Sequence, residues 1–188
     1  MNSDNLNAFS LVSRLFGNLF YRQPTDSILT DVFVWLQQQG LSHIWALATD
    51  SQSEQALKNL QIKIDLSLLD QEYSTLFLGH KAKVSPLISS YGINVTEFVQ
   101  FRAIRAMQPL ENPDHFGLLL LTASWLEDNV SSSEAQKELF ERFLLPCASQ
   151  FLLQVEKHAT LPFYLSLALL TREILAAMAD ELDEVDNG

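Results

Sequence analysis

An all-α fold, a single domain of packed helices, is what this sequence predicts, and three observations carry the prediction. Apolar residues recur at spacings of three and four along most of the chain, the period of a helix with one buried face. Only 6 Gly and 6 Pro occur among 188 residues, too little turn material for a β-rich fold. The chain is 47% hydrophobic, enough for a substantial core, and its length suits one domain. No repeat, low-complexity run or convincing strand pattern interrupts the helical reading.

Leu6, Phe9, Val12, Phe16 and Leu19 trace the first helix, with Ser3 or Asp4 as its cap. Pro24-Thr25-Asp26 caps the second, which buries Leu29, Val32, Phe33 and Leu36 and ends at Gly40. Ser51 to Leu60 reads as a short third helix and Ser67 to Leu78 as the fourth, with Gly79 as its stop. Thr96 caps a fifth helix running to Met107 and burying Phe98, Phe101 and Ile104. Asn112 is a good N-cap for a sixth, to Asp128. Pro113 fits its first position, where a missing N–H costs nothing. Ser131 to Glu134 has the pattern of a capping box and opens a long seventh helix carrying Leu139, Phe143, Cys147, Phe151 and Val155. Pro146 should kink or split it. Pro162 starts the last helix, with Phe163, Leu167, Leu170, Ile174 and Met178 on one face. The whole chain, 1–188, is thus one helical domain, with a long loop at 79–92 and an acidic tail at 180–188 that reads as frayed and solvated.

Composition excludes several functions. A net charge of −11 argues against nucleic acid, whose binding rests on Lys and Arg at phosphates, and is compatible with a cationic partner or simply with solubility. One cysteine, Cys147, rules out an internal disulfide and fits a reducing compartment. Residues 1–10 hold acidic Asp4 and no basic region of a secretory signal. The longest apolar run, Phe116 to Leu126, falls short of the roughly 20 residues a membrane helix needs. The expectation is a cytoplasmic protein without stable membrane insertion. His43, His80, His115 and His158 lie far apart in no metal-binding pattern, and no phosphate-binding glycine loop occurs. Cys147 sits on an apolar face, where a free cysteine is usually a small core residue. Phe16, Phe20, Phe143, Phe151, Trp45 and Trp125 are most simply core as well.

Two segments stand out. Residues 79–92 keep Val84, Pro86, Leu87, Ile88 and Tyr91 but show no periodicity, and are too apolar for a disordered segment. They read as an ordered loop packing an apolar surface. Asp114-His115 opens the most apolar helix of the chain. The pair reads either as a helix-start network, Asp114 accepting backbone amides, or as a recognition point.

The run Glu72-Tyr73-x-x-Leu76-Phe77-x-Gly79, a Pro-containing loop ending in Tyr91, and then Pro113-Asp114-His115 resembles the TorD/DmsD/NarJ family of redox-enzyme maturation chaperones. Leu19 to Pro24 resembles that family's first helix and turn. Phe143 to Phe151 and Pro162-Phe163-Tyr164 resemble its C-terminal helices, so the likeness covers nearly the whole chain. The chain departs from the family in three places. Pro113 directly precedes Asp114, where the family has a free position between; the loop begins Gly79-His80 rather than Gly-Pro; and Cys147 replaces a Trp that often follows the C-terminal Pro. These departures mark a divergent branch.

The resemblance implies a cytoplasmic, non-catalytic chaperone with no cofactor or metal. Its partner would be an apo-metalloenzyme client, often bound through a twin-arginine leader peptide, and held until cofactor insertion. In that reading Asp114 meets a basic residue of the client, His115 orients it, and Pro86, Leu87 and Tyr91 line an apolar groove. Glu72, Tyr73, Phe77 and Pro113 complete the matching positions. Release would come from competition or client folding, since no ATPase motif is present. Homodimerisation by helix exchange, hinged at 78–92 or 107–112, stays open. Two alternatives remain: a chaperone for a leaderless cytoplasmic metalloenzyme, and a small-molecule or nucleotide-binding hydrolase using Asp114, His115 and Glu72. The hydrolase requires a deep polar pocket.

Overall fold

A computed structural model describes residues 3–186. It is all-helical over these residues, as periodicity requires. Helices α1 (Ser3–Tyr21) and α7 (Phe116–Asn129) form the most extensive pairing. Their crossing is close because both contribute glycine. A Cβ on Gly117 would lie 2.6 Å from the Gly17 carbonyl oxygen, and one on Gly17 would lie 2.9 Å from that of Gly117. Helix α10 (Pro162–Asp186) lies against α4 (Ser51–Gln61) and α9 (Leu145–His158). Between these layers runs an aromatic core: Phe116 and Phe151 rings are 4.2 Å apart, with Phe20, Phe77 and Tyr164 packed around them.

Several helix ends fall on a nearby acceptor other than the one the sequence favoured. Asp50 caps α4, and Asp65 caps α5 (Leu66–Phe77). Asn94 rather than Thr96 caps α6 (Val95–Ala103). Ser132 rather than Ser131 caps α8 (Ser133–Leu139), accepting from the Glu134 amide. The second helix is preceded by one 3₁₀ turn capped by Asp26, and α2 (Thr30–Gln37) ends before Gly40. Gly40 opens α3 (Gly40–Ile44) under the Trp35 indole, where a Cβ would sit 2.1 Å from the ring. The backbone reverses at left-handed Gln39 instead. The expected capping of α1 by Ser3 or Asp4, and the burial of Leu6, lie outside the described side chains.

Three further expectations are corrected and one, at Pro146, is met. Ile104 is 77% exposed, because α6 stops at Ala103 and the chain turns at left-handed Ala106. The Met107 amide then donates back to the Arg102 carbonyl, and Met107 enters the core in place of Ile104. The expected long seventh helix is divided just ahead of Pro146, which stands in the first turn of α9. A π-helical turn over 140–144 links α8 to α9, a wider turn that absorbs the hydrogen bond a proline cannot donate. The segment 180–186, expected as frayed, continues α10 and buries Leu182. Finally, Pro162–Val185 is long and apolar enough to pass as a membrane span by length and composition, which the sequence reading missed. Over half of it is buried under other helices, the pattern of a core helix.

Candidate functional site

Residues 79–92 are ordered. The Lys83 and Val84 amides donate to the Thr75 and Leu76 carbonyls, so the loop folds back along the end of α5. Val84 and Ile88 are buried, and residues 88–91 form a single 3₁₀ turn closed by left-handed Gly92. Tyr91 packs edge-on against Phe151, and its hydroxyl donates to the Ser85 carbonyl at 2.7 Å. Burial pushes its phenol up to about 12, so it remains a donor at any ordinary pH. Tyr91 therefore backs the loop and holds its shape from below.

The loop is stapled to the start of α7. Helix α7 begins at Phe116 and not near Asn112, and His115 is its N-cap: Nδ1 accepts from the Gly117 amide at 3.0 Å. The Phe116 amide, another donor orphaned at the helix end, is taken by the Pro86 carbonyl at 2.8 Å. Asp114 lies outside the helix and turns to the loop, accepting from the Ser89 amide at 2.9 Å and the Ser89 hydroxyl at 2.5 Å. Pro113 precedes this junction, and its carbonyl accepts from the His115 amide. The cap position that Asn112 was expected to hold thus passes to a histidine. An imidazole acceptor here also reaches α1, where the Tyr21 ring stands edge-on to His115 at 5.0 Å.

His115 is neutral at pH 7. Burial lowers its pKa to about 4, and the Asp114 charge opposes that shift only in part. With Nδ1 accepting, the ring proton of the neutral imidazole resides on Nε2, which meets no hydrogen-bond partner among the described residues. Leu87, 44% exposed, and Ser89 stand at the surface above this junction, with Pro86 half-buried beside them. The assembled surface therefore offers a neutral N–H donor, an apolar contact and a carboxylate whose unused lone pairs can accept more than the two bonds from Ser89.

The remaining sequence candidates lie elsewhere. Glu72 is buried, and its carboxylate accepts from the Thr160 and Leu161 amides, both at 2.8 Å. These are the donors orphaned ahead of Pro162, so Glu72 of α5 caps α10 from across the fold. Tyr73 is buried with its hydroxyl on the Phe20 carbonyl at 2.8 Å, and Phe77 stacks on Phe151 in the aromatic core. Asp114, His115, Pro86, Leu87, Tyr91 and Pro113 come together; Glu72, Tyr73 and Phe77 support the framework. Sequence reasoning missed Ser89 and Tyr21 as members of the junction. Tyr21 ends the run Leu19 to Tyr21, the one available signal, whereas Ser89 sits in an aperiodic loop that offered none.

No convergent catalytic set forms from Asp114, His115 and Glu72, each of which is committed to a different backbone segment. Cys147 is buried, and desolvation together with the Asp114 charge pushes its thiol up to about 12. Among the described residues no three His, Cys, Asp or Glu side chains lie close enough to hold a metal.

No family model matches the chain. An uncharacterised protein of Haemophilus influenzae is 65% identical over 98% of this chain and 100% of its own length. The chaperone protein YcdY of Escherichia coli is 40% identical, over 95% of this chain and 98% of that protein. The probable Tat proofreading chaperone DmsD of Haemophilus influenzae is 28% identical, over 90% and 89% of the two chains.

Proposed function

We propose, from the premise that this chain belongs to the TorD/DmsD family of chaperones, that it is a cytoplasmic, non-catalytic maturation chaperone which docks a redox-enzyme client on the junction of loop 79–92 with the start of α7. The relatives named for Tat proofreading support a client that carries an N-terminal leader. The observation that carries the docking site is the staple itself: Asp114, Ser89, Pro86 and His115 lock an exposed apolar loop into one shape. A preformed loop loses little freedom on binding, so its contacts go into affinity. Asp114 receives a basic group of the client on its unused lone pairs, Nε2–H of His115 donates to a client carbonyl, and Leu87 with Pro86 takes apolar side chains. Release follows client folding or competition.

The second reading is a client recognised through its folded body, without a leader. It is favoured by the relative at 40% identity, which is named simply a chaperone, whereas the DmsD proteins are more distant at 28–29%. One experiment addresses both. Wild-type and Asp114→Asn proteins, each verified as folded by circular dichroism, are mixed with apo-redox enzymes carrying or lacking their leaders. Capture by the wild type and loss in the variant supports the junction as the site. Equal capture by both, or by neither, rejects it. Retained capture of leaderless client selects the second reading.

A further inference from the structure

Away from the loop junction, one arginine breaks a pattern that the others keep. Arg14 pairs with Asp128, Arg22 with Asp26, Arg105 with Glu138, Arg142 with Glu97 and Glu138, and Arg172 with Glu156. Arg102, near the end of α6, is the one arginine among the described residues that meets no carboxylate, in a chain of net charge −11. It is also partly buried, where a cation is normally paired. Its Nη1 donates to the Thr122 hydroxyl of α7 at 2.6 Å, and its Nη2 to the Gln108 carbonyl at 3.0 Å. Thr122 in turn donates to the Leu118 carbonyl, so only its lone pairs face the guanidinium. Burial pulls the Arg102 pKa down, and no acidic neighbour opposes that pull. Two neutral oxygens thus fix the plane of the guanidinium without neutralising it, and the remaining N–H groups of its five-donor fork are left over.

The surface around it is apolar or uncharged. Val95 and Val99 precede Arg102 on α6 at spacings of four and three, so the three share the flank turned to α7. Val99 is 42% exposed. Thr96, Gln100 and Ala103 beside it are exposed too and carry no charge. Glu97, the acidic residue of α6, lies on the other flank, engaged by Arg142 of the π-helical turn. We infer that Arg102 and Val99 form a docking point for an acidic protein segment, in which a Glu or Asp carboxylate accepts from the free N–H groups of the guanidinium while an adjacent apolar side chain covers Val99. Charge complementarity selects this occupant. A held, partly desolvated fork suits a carboxylate and repels a basic group. That is the reverse of what Asp114 attracts, so this point stands or falls separately from the loop junction and the client docked there.

The test is a titration of ¹⁵N-labelled protein with the acetylated, amidated peptide Ala-Leu-Glu-Leu-Ala and its Gln counterpart, following the Arg102 Nε–H signal, assigned with Arg102→Gln. The Glu peptide should move that signal saturably and bind at least about fivefold more tightly than the Gln peptide. This comparison needs no protein variant, so it holds whether or not Arg102→Gln folds. In folded Arg102→Gln the two peptides should bind alike. Val99→Ser, at an exposed position, should weaken both by about twofold. Asp114→Asn should leave the preference for Glu intact. Equal affinity of the two peptides for the wild type, an unmoved Arg102 signal, no response to Val99→Ser, or a preference that survives in Arg102→Gln or is lost in Asp114→Asn would overturn the site. So would sodium acetate saturating the signal at the same concentration as the Glu peptide, since Arg102 would then meet any free anion equally well.

Discussion

Two carboxylates from the same sequence pattern, Glu72 and Asp114, ended in opposite situations. Glu72 is buried and bonded to the two backbone amides ahead of α10. Asp114 is half-buried and holds one loop residue, Ser89, by its amide and its hydroxyl. The first carboxylate ties α5 to the start of α10 through two backbone amides. The second fixes the shape of a surface. A motif that contains both therefore mixes a framework residue with a binding residue, and only the partner each oxygen accepts from tells them apart.

The largest test of that division is Glu72→Ala. Losing two charge-assisted bonds at about 2 kcal/mol each should cost about 4 kcal/mol, read from the midpoint of urea unfolding. Client capture per folded molecule should be unchanged. A Glu72→Ala protein of normal stability that no longer captures client would break the comparison and return Glu72 to the site.

His115 gives the next largest effect. Its folded pKa of about 4 lies below the ordinary 6.5, so between those values the unfolded chain holds more protons than the folded one. Stability from this group is full above pH 6.5 and is lost as pH falls towards 4, by at most about 3 kcal/mol. His115→Asn keeps an N-cap acceptor for the Gly117 amide and removes the titration. Its stability at pH 7 should stay within about 1 kcal/mol of wild type, and the difference between the two proteins should shrink or reverse between pH 6.5 and 4. Parallel pH profiles for both proteins would show that His115 is not held neutral.

Asp114→Ala should cost only about 1 kcal/mol, the size of a lost cap-like bond at a partly exposed position. Paired with Ser89→Ala in a double-mutant cycle, it should show coupling of at least about 0.5 kcal/mol, because both changes remove the same contact. Additive effects would mean the Asp114–Ser89 contact contributes nothing and the loop is held by its other bonds, those of Tyr91, Lys83, Val84 and Pro86.

Periodicity made most helices legible, because Phe16, Leu19, Phe151, Leu167 and Leu170 are buried on the faces their spacing assigns. Caps were less legible, since Asn94 and Thr96 or Ser131 and Ser132 are near equals in the sequence, and the path of the preceding chain chooses between them. The start of α7 was misread for a different reason. Asn112 and Pro113 have the right local chemistry, but the Pro86 carbonyl, far away in sequence, takes the Phe116 amide and fixes the start three residues later. The burial of Ile104 failed because its helix was assumed to continue through a left-handed residue. The candidate site divided along the same line: Asp114 and His115 were readable as a pair at a helix mouth, whereas Ser89 and the α10 cap made by Glu72 depend on long-range contacts.

The smallest stability effect sharpens the contrast most. Leu87 is 44% exposed, and its side chain stands on the stapled loop outside the core. Leu87→Ser should change stability by no more than about 0.5 kcal/mol, as surface substitutions do. Nothing in the framework needs an apolar side chain there, so any loss of client capture in this variant reports on docking alone. The Glu72 variants lose stability and keep binding; Leu87→Ser should lose binding and keep stability. If Leu87→Ser leaves capture intact while Asp114→Asn abolishes it, the junction recognises its client through charge and hydrogen bonds, and the apolar loop serves only to present Asp114.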